Sequence, residues 1–105
     1  MKKILILGTA LLCGFLCRVA AQGVEFRDLT FGQALEQART ENKLVFMDCY
    51  TSWCGPCKNM LKNVFTLPEA GEFMNAHFVC VKYDMEKGEG IGLKKQFAVR
   101  AFPTF

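Results

Sequence analysis

The amino-acid sequence predicts an α/β fold with parallel strand pairing. Two apolar runs, Leu44–Tyr50 and Phe78–Asp84, read as strands. Segments of helical character precede, separate and follow them, the alternation that builds a layered α/β domain. The third observation is a pair of cysteines, Cys54 and Cys57, placed directly after the first strand where a helix begins.

Each element has a local cause. Residues 24–29 form a short strand or lead-in. Thr30 caps a helix from 31 to about 41, and Gln33 three residues on completes a capping-box pattern. Phe31, Ala34, Leu35 and Ala38 are its expected buried stripe, and Asn42-Lys43 ends it. Leu44–Tyr50 is apolar almost without alternation, which predicts a strand buried on both faces. A second helix is expected from about 54 to 65, with Met60, Leu61 and Val64 facing the core. Pro68 opens a short helical turn through about 75. After Phe78–Asp84 comes the polar, glycine-broken loop 86–90, then a short helix over 91–97 and the start of a strand at Pro103-Thr104-Phe105. Phe46, Phe65, Phe73, Phe78 and Phe97 are expected in the core.

Residues 1–21 do not read as folded protein. Lys2 and Lys3 precede the apolar stretch 4–16, and Val19-Ala20-Ala21 supplies small residues for cleavage, the pattern of a secretory signal peptide cut after Ala21. The apolar stretch is 13 residues, short of the ~20 that a bilayer-spanning helix needs. The remaining domain, 22–105, carries ten basic and ten acidic residues. This balance points away from nucleic acid and from a charged tail. Four cysteines remain in it, Cys49, Cys54, Cys57 and Cys80, in a compartment where disulfides persist.

Two cysteines at this spacing can close a disulfide ring, hold a metal or cycle between dithiol and disulfide. A metal site lacks its second pair or a histidine cluster, since His77 is the single histidine. Cys49 and Cys80 read as buried small hydrophobes. Lys58 and Lys94-Lys95 read as solvated surface, and His77 as a helix-end or loop residue.

Residues 43–105 resemble a thioredoxin-fold oxidoreductase. The residues that carry the resemblance are Asp48, Trp53-Cys54-Gly55-Pro56-Cys57-Lys58, Asp84 at the end of a later strand, and Phe102-Pro103-Thr104 as a cis-proline loop. The long segment between the active-site helix and the Phe78 strand is similar to exported members, including those of disulfide-reductant relays. The resemblance implies a three-layer α/β/α fold with a mixed central sheet, and a redox-active Cys54–Cys57 pair with no cofactor. Cys54, at a helix N-terminus, gains a lowered thiol pKa from unpaired N–H groups and the helix dipole. Cys57 lies one turn in and shielded, and Asp48, isolated in the strand beneath, helps take its proton. Trp53, Gly55, Pro56, Phe102, Pro103 and Thr104 form the substrate-binding surface. The resemblance places Cys80 on the face of Asp48, where many members carry a lysine near the buried acid.

The implied partners are disulfide-containing proteins and a membrane or periplasmic electron donor. The implied location is the periplasm or another exported compartment. Reductase is the leading expectation, because Gly-Pro lies between the cysteines. Isomerase or oxidase is the alternative within the enzymes, and a redox-inactive fragment or metal-binding module the alternative outside them. The family continues after the cis-proline with a strand, a hairpin partner and a helix, so a chain ending at Phe105 is expected to be C-terminally truncated. By the family's strand order Leu44–Tyr50 would then be an open apolar edge, an aggregation hazard. Circular dichroism and thermal melting of residues 22–105 test this expectation, and a cooperative melt from a soluble monomer overturns it.

Overall fold

The computed structural model describes residues 22–105; the expected signal peptide, 1–21, lies outside them. Helix α1 spans Phe31–Glu41, strand β1 Leu44–Tyr50, helix α2 Gly55–Asn63, helix α3 Pro68–His77, strand β2 Phe78–Asp84 and helix α4 Gly90–Gln96. Thr30 caps α1 with the expected box: its hydroxyl accepts the Gln33 N–H, and the Gln33 side chain accepts the Thr30 N–H. Asn42 ends the helix in the left-handed region at φ 59°.

β1 and β2 pair in parallel from Leu44 opposite Phe78 to Tyr50 opposite Asp84. A parallel bridge joins Phe26 to Cys80 on the outer side of β2, and an antiparallel bridge joins Cys49 to Thr104 on the outer side of β1. The pairing is therefore mixed, as expected for this fold. Side chains alternate across a strand, so register partners share a face. One face carries Val45, Met47, Val79, Val81 and Tyr83, on which Ala34 and Ala38 of α1 pack. Cys49 lies on that face too, packed with Leu93 of α4, Met85 and Val99. The opposite face carries Phe46, Asp48 and Cys80. There the Phe46 ring meets Phe65, just beyond α2, at 6.0 Å, and Phe78 meets Phe73 of α3 at 6.5 Å.

Long-range polar contacts fix the first residues. The Asn75 side chain accepts the Glu25 N–H at 2.8 Å and donates to the Gly23 carbonyl at 3.1 Å. Arg27 grips Glu41 through two bonds of 2.6 and 2.9 Å, and Lys43 adds a third contact at 3.2 Å. These donors hold the Glu41 carboxyl well below the usual range, the Arg27 bonds contributing most. The Tyr83 hydroxyl donates to the Leu29 carbonyl at 2.7 Å.

Several burial expectations fail. Leu35 is 50% exposed, as are Phe73 at 57% and Phe97 at 48%, and Leu44 at the start of β1 is 72% exposed. Helical period gives the side on which Leu35 lies but not whether a neighbour reaches over it. Leu44 begins its strand before either sheet face is covered.

α4 closes on a non-glycine residue in the left-handed region, Ala98 at φ 52°. Its N–H donates to Lys95 and that of Val99 to Lys94, the paired bonds of a Schellman closure. An alanine there carries a Cβ penalty that glycine does not. Ala98→Gly is expected to raise unfolding stability by about 0.5–1 kcal/mol in urea titration.

Candidate active site

The site begins where β1 ends. Thr51 to Cys54 is a tight turn closed by the Cys54 N–H donating to the Thr51 carbonyl at 3.3 Å. Its ends, Thr51 and Cys54, are buried, while Ser52 and Trp53 between them are exposed. α2 starts at Gly55, and Pro56 occupies the first turn, where its missing N–H removes no helical bond. Gly55 and Pro56 are exposed.

Cys54 and Cys57 form a disulfide with Cα atoms 5.3 Å apart, and both are at most 3% exposed. Cys54 is also the N-cap of α2: its Sγ accepts the Cys57 backbone N–H at 3.1 Å. A sulfur that leaves as thiolate thus already has a donor aimed at it. No acidic residue lies in the first turn of α2 to oppose that charge.

Trp53 is 64% exposed yet held at both ends. Its Nε1–H donates to a Glu86 carboxylate oxygen at 3.1 Å, and the rings of Trp53 and Phe102 meet edge to face at 6.0 Å. The Glu86 N–H in turn donates to Asp84 Oδ1 at 2.9 Å. The Phe102–Pro103 peptide bond is cis, as the resemblance implied, and both residues are half-buried. Thr104 is half-buried: its N–H and carbonyl pair with Cys49, and its hydroxyl donates to the Ala101 carbonyl at 2.6 Å in an exposed bond.

Asp48 is 1% exposed on the sheet face below Phe65 and α2, and its Oδ1 has no hydrogen-bond partner. Burial pushes its carboxyl up to about 6, against the opposing pull of Lys82. Lys82 is the register partner of Asp48 and was not singled out in the sequence. Cys80, opposite Phe46, lies on the face of Asp48, as the resemblance implied. The Lys82 ammonium lies 5.4 Å from the centroid of the Tyr50 ring.

Cys49 and Cys80 are free and buried, and burial pushes each thiol up to about 11. They are inert hydrophobes, in keeping with expectation. His77 ends α3, and Lys58, Lys94 and Lys95 are exposed. Thr51 was missed by the sequence reading; its hydroxyl and Asp48 Oδ1 are the buried side-chain polar atoms without a partner among the described residues. Nothing in a two-cysteine motif signals a residue three positions before it.

Known proteins resemble this site and fold. A family profile described as Thioredox_DsbH, a protein of unknown function (DUF255), matches residues 10–100. Thioredoxin-1 of Drosophila yakuba is 36% identical over 75 residues, covering 71% of this chain and 64% of that protein. A solution structure from Bacteroides thetaiotaomicron, described as a candidate disulphide-isomerase, is 49% identical with a TM-score of 0.69, over 81% of this chain and 70% of that one. A structure described as a DsbH oxidoreductase shares the fold at a TM-score of 0.69 and 24% identity, over 82% and 65% of the two chains. The chain spans about half to two-thirds of the length of the first curated relatives it matches.

The buried acid gives stability a pH signature. Its folded pKa of about 6 exceeds the unfolded value near 3.8, so its stabilising contribution is complete below pH ~4 and lost as pH rises through about 6. About 3 kcal/mol is at stake over that window. Asp48→Asn is expected to flatten the profile and to stabilise the protein at pH 7, measured by urea unfolding across pH 4–8.

Proposed function

The chain belongs to the thioredoxin-like family, and from that premise we propose that it is an exported thiol–disulfide oxidoreductase that reduces disulfides in protein substrates. The observation that carries this reading is the Cys54–Cys57 disulfide at the start of α2, with a backbone N–H donated to the Cys54 sulfur. The Gly-Pro dipeptide between the cysteines favours the reducing direction. The pattern of residues 1–21 supports export.

In the proposed cycle the Cys54 thiolate attacks one sulfur of a substrate disulfide. That S–S bond breaks, a mixed disulfide forms, and the departing substrate thiolate takes a proton from solvent. Asp48 accepts the proton of Cys57, directly or through an intervening group, and the resulting thiolate attacks Cys54 Sγ. The second substrate thiol is released, two electrons have passed to substrate, and the Cys54–Cys57 disulfide is restored. The exposed Trp53 ring and the Phe102–Pro103 loop offer an apolar surface to an extended substrate segment beside Cys54. A dithiol donor at the membrane or in the periplasm then returns two electrons and leaves as a disulfide.

The description of the 49%-identical relative favours isomerisation as a second reading. Insulin reduction by the unaltered protein, Cys54→Ser and Cys57→Ser tests the first. Loss of turnover in both variants, at least about 100-fold, is expected; turnover untouched by either ends the dithiol mechanism. Recovery of scrambled ribonuclease by Cys57→Ser, with insulin reduction absent from the unaltered protein, would select the isomerase.

A further inference from the structure

The turn before the nucleophile holds a hydroxyl with no assigned work. Thr51 is 1% exposed and its Oγ1 has no partner. A buried hydroxyl left unpaired is costly, so a state of the protein that supplies a partner is favoured. Thr51 and Cys54 are the two ends of one hydrogen-bonded turn, which brings their Cα atoms within about 7 Å. Both residues are buried, while the two between them are exposed.

We propose that Thr51 is a positioning residue whose hydroxyl donates a hydrogen bond to the Cys54 sulfur once the disulfide is opened. The assignment rests on the thiol–disulfide reading of the site. When a donor dithiol reduces Cys54–Cys57, two electrons enter, the S–S bond breaks and the donor becomes a disulfide. Cys54 is left as a thiolate, Cys57 keeps one of the two protons delivered, and the other passes to solvent. In the oxidised protein the Cys54 sulfur is a weak acceptor that already receives the Cys57 N–H. As a thiolate it carries a full charge and accepts further donors, and charge-assisted bonds are the stronger kind. Thr51 gains its partner in that state alone, so its hydroxyl favours the reduced form and lowers the Cys54 thiol pKa. The backbone N–H supplies one donor from α2 and Thr51 a second from the β1 side.

Thr51→Val keeps shape and removes the donor; Thr51→Ser keeps the donor and removes the methyl group. Thiolate absorbance at 240 nm against pH reads the Cys54 pKa, and equilibration with dithiothreitol reads the potential. In Thr51→Val the thiolate fraction below the pKa falls about tenfold. The equilibrium shifts about tenfold toward the disulfide, equal to about 30 mV more negative for this two-electron couple. Thr51→Ser restores both. Values for Thr51→Val equal to the unaltered protein overturn the proposal, as does Thr51→Ser behaving like Thr51→Val. An effect that disappears in an Asp48→Asn background makes Asp48 the partner and overturns it too. If Thr51→Val does not fold, Thr51→Ala against Thr51→Ser gives the same comparison. Neither readout uses a protein substrate, so failure of insulin reduction and failure of this inference are separate results.

Discussion

The parallel register of β1 on β2 is the constraint on which the site depends. Side chains alternate with a period of two, so a slip of one residue would exchange the faces of Asp48 and Cys49. The acid would then face α1 and the Leu93 cluster, and a thiol would lie below α2. The register is held by unlike demands on the two faces. Val79 and Val81 are fully buried against the alanines of α1, while Phe46 needs the Phe65 ring on the other side. Neither set fits the opposite environment. Specificity for one register is thus built from shape on one face and aromatic contact on the other.

The same strand joins the acid to the loop opposite the nucleophile. Cys49, next to Asp48, exchanges both backbone hydrogen bonds with Thr104, the residue after the cis-proline. The buried carboxylate and Pro103 are therefore linked through two rigid backbone contacts and no flexible side chain. Trp53 is tied from another direction, through Glu86, in the turn just beyond β2. The exposed parts of the site are positioned by elements whose own places are set by the two-stranded pairing.

Much of this was legible in the sequence, for reasons particular to each residue. The Thr30–Gln33 box, the strand limits 44–50 and 78–84 and the cis-proline follow from short-range chemistry or a compact motif. Exposure at Leu35, Phe73 and Phe97 did not follow, since periodicity fixes direction while cover is decided by distant elements. Lys82 required knowing which residues of two strands lie side by side, a fact absent from either strand alone. Thr51 required knowing that its hydroxyl finds no partner, which only the assembled interior reveals.

The clasp by Asn75 bears on how the chain comes to be folded. Its partners Gly23 and Glu25 lie 52 and 50 residues away, Tyr83 holds Leu29 across 54, and Glu89 reaches Phe31 across 58. A polypeptide delivered amino end first cannot secure its opening segment until most of the domain has emerged. Pairings of such long span are also slow to form. The order of delivery thus leaves β1 and α2, which carry Asp48 and both cysteines of the disulfide, waiting on β2 and the residues behind it before the domain can close.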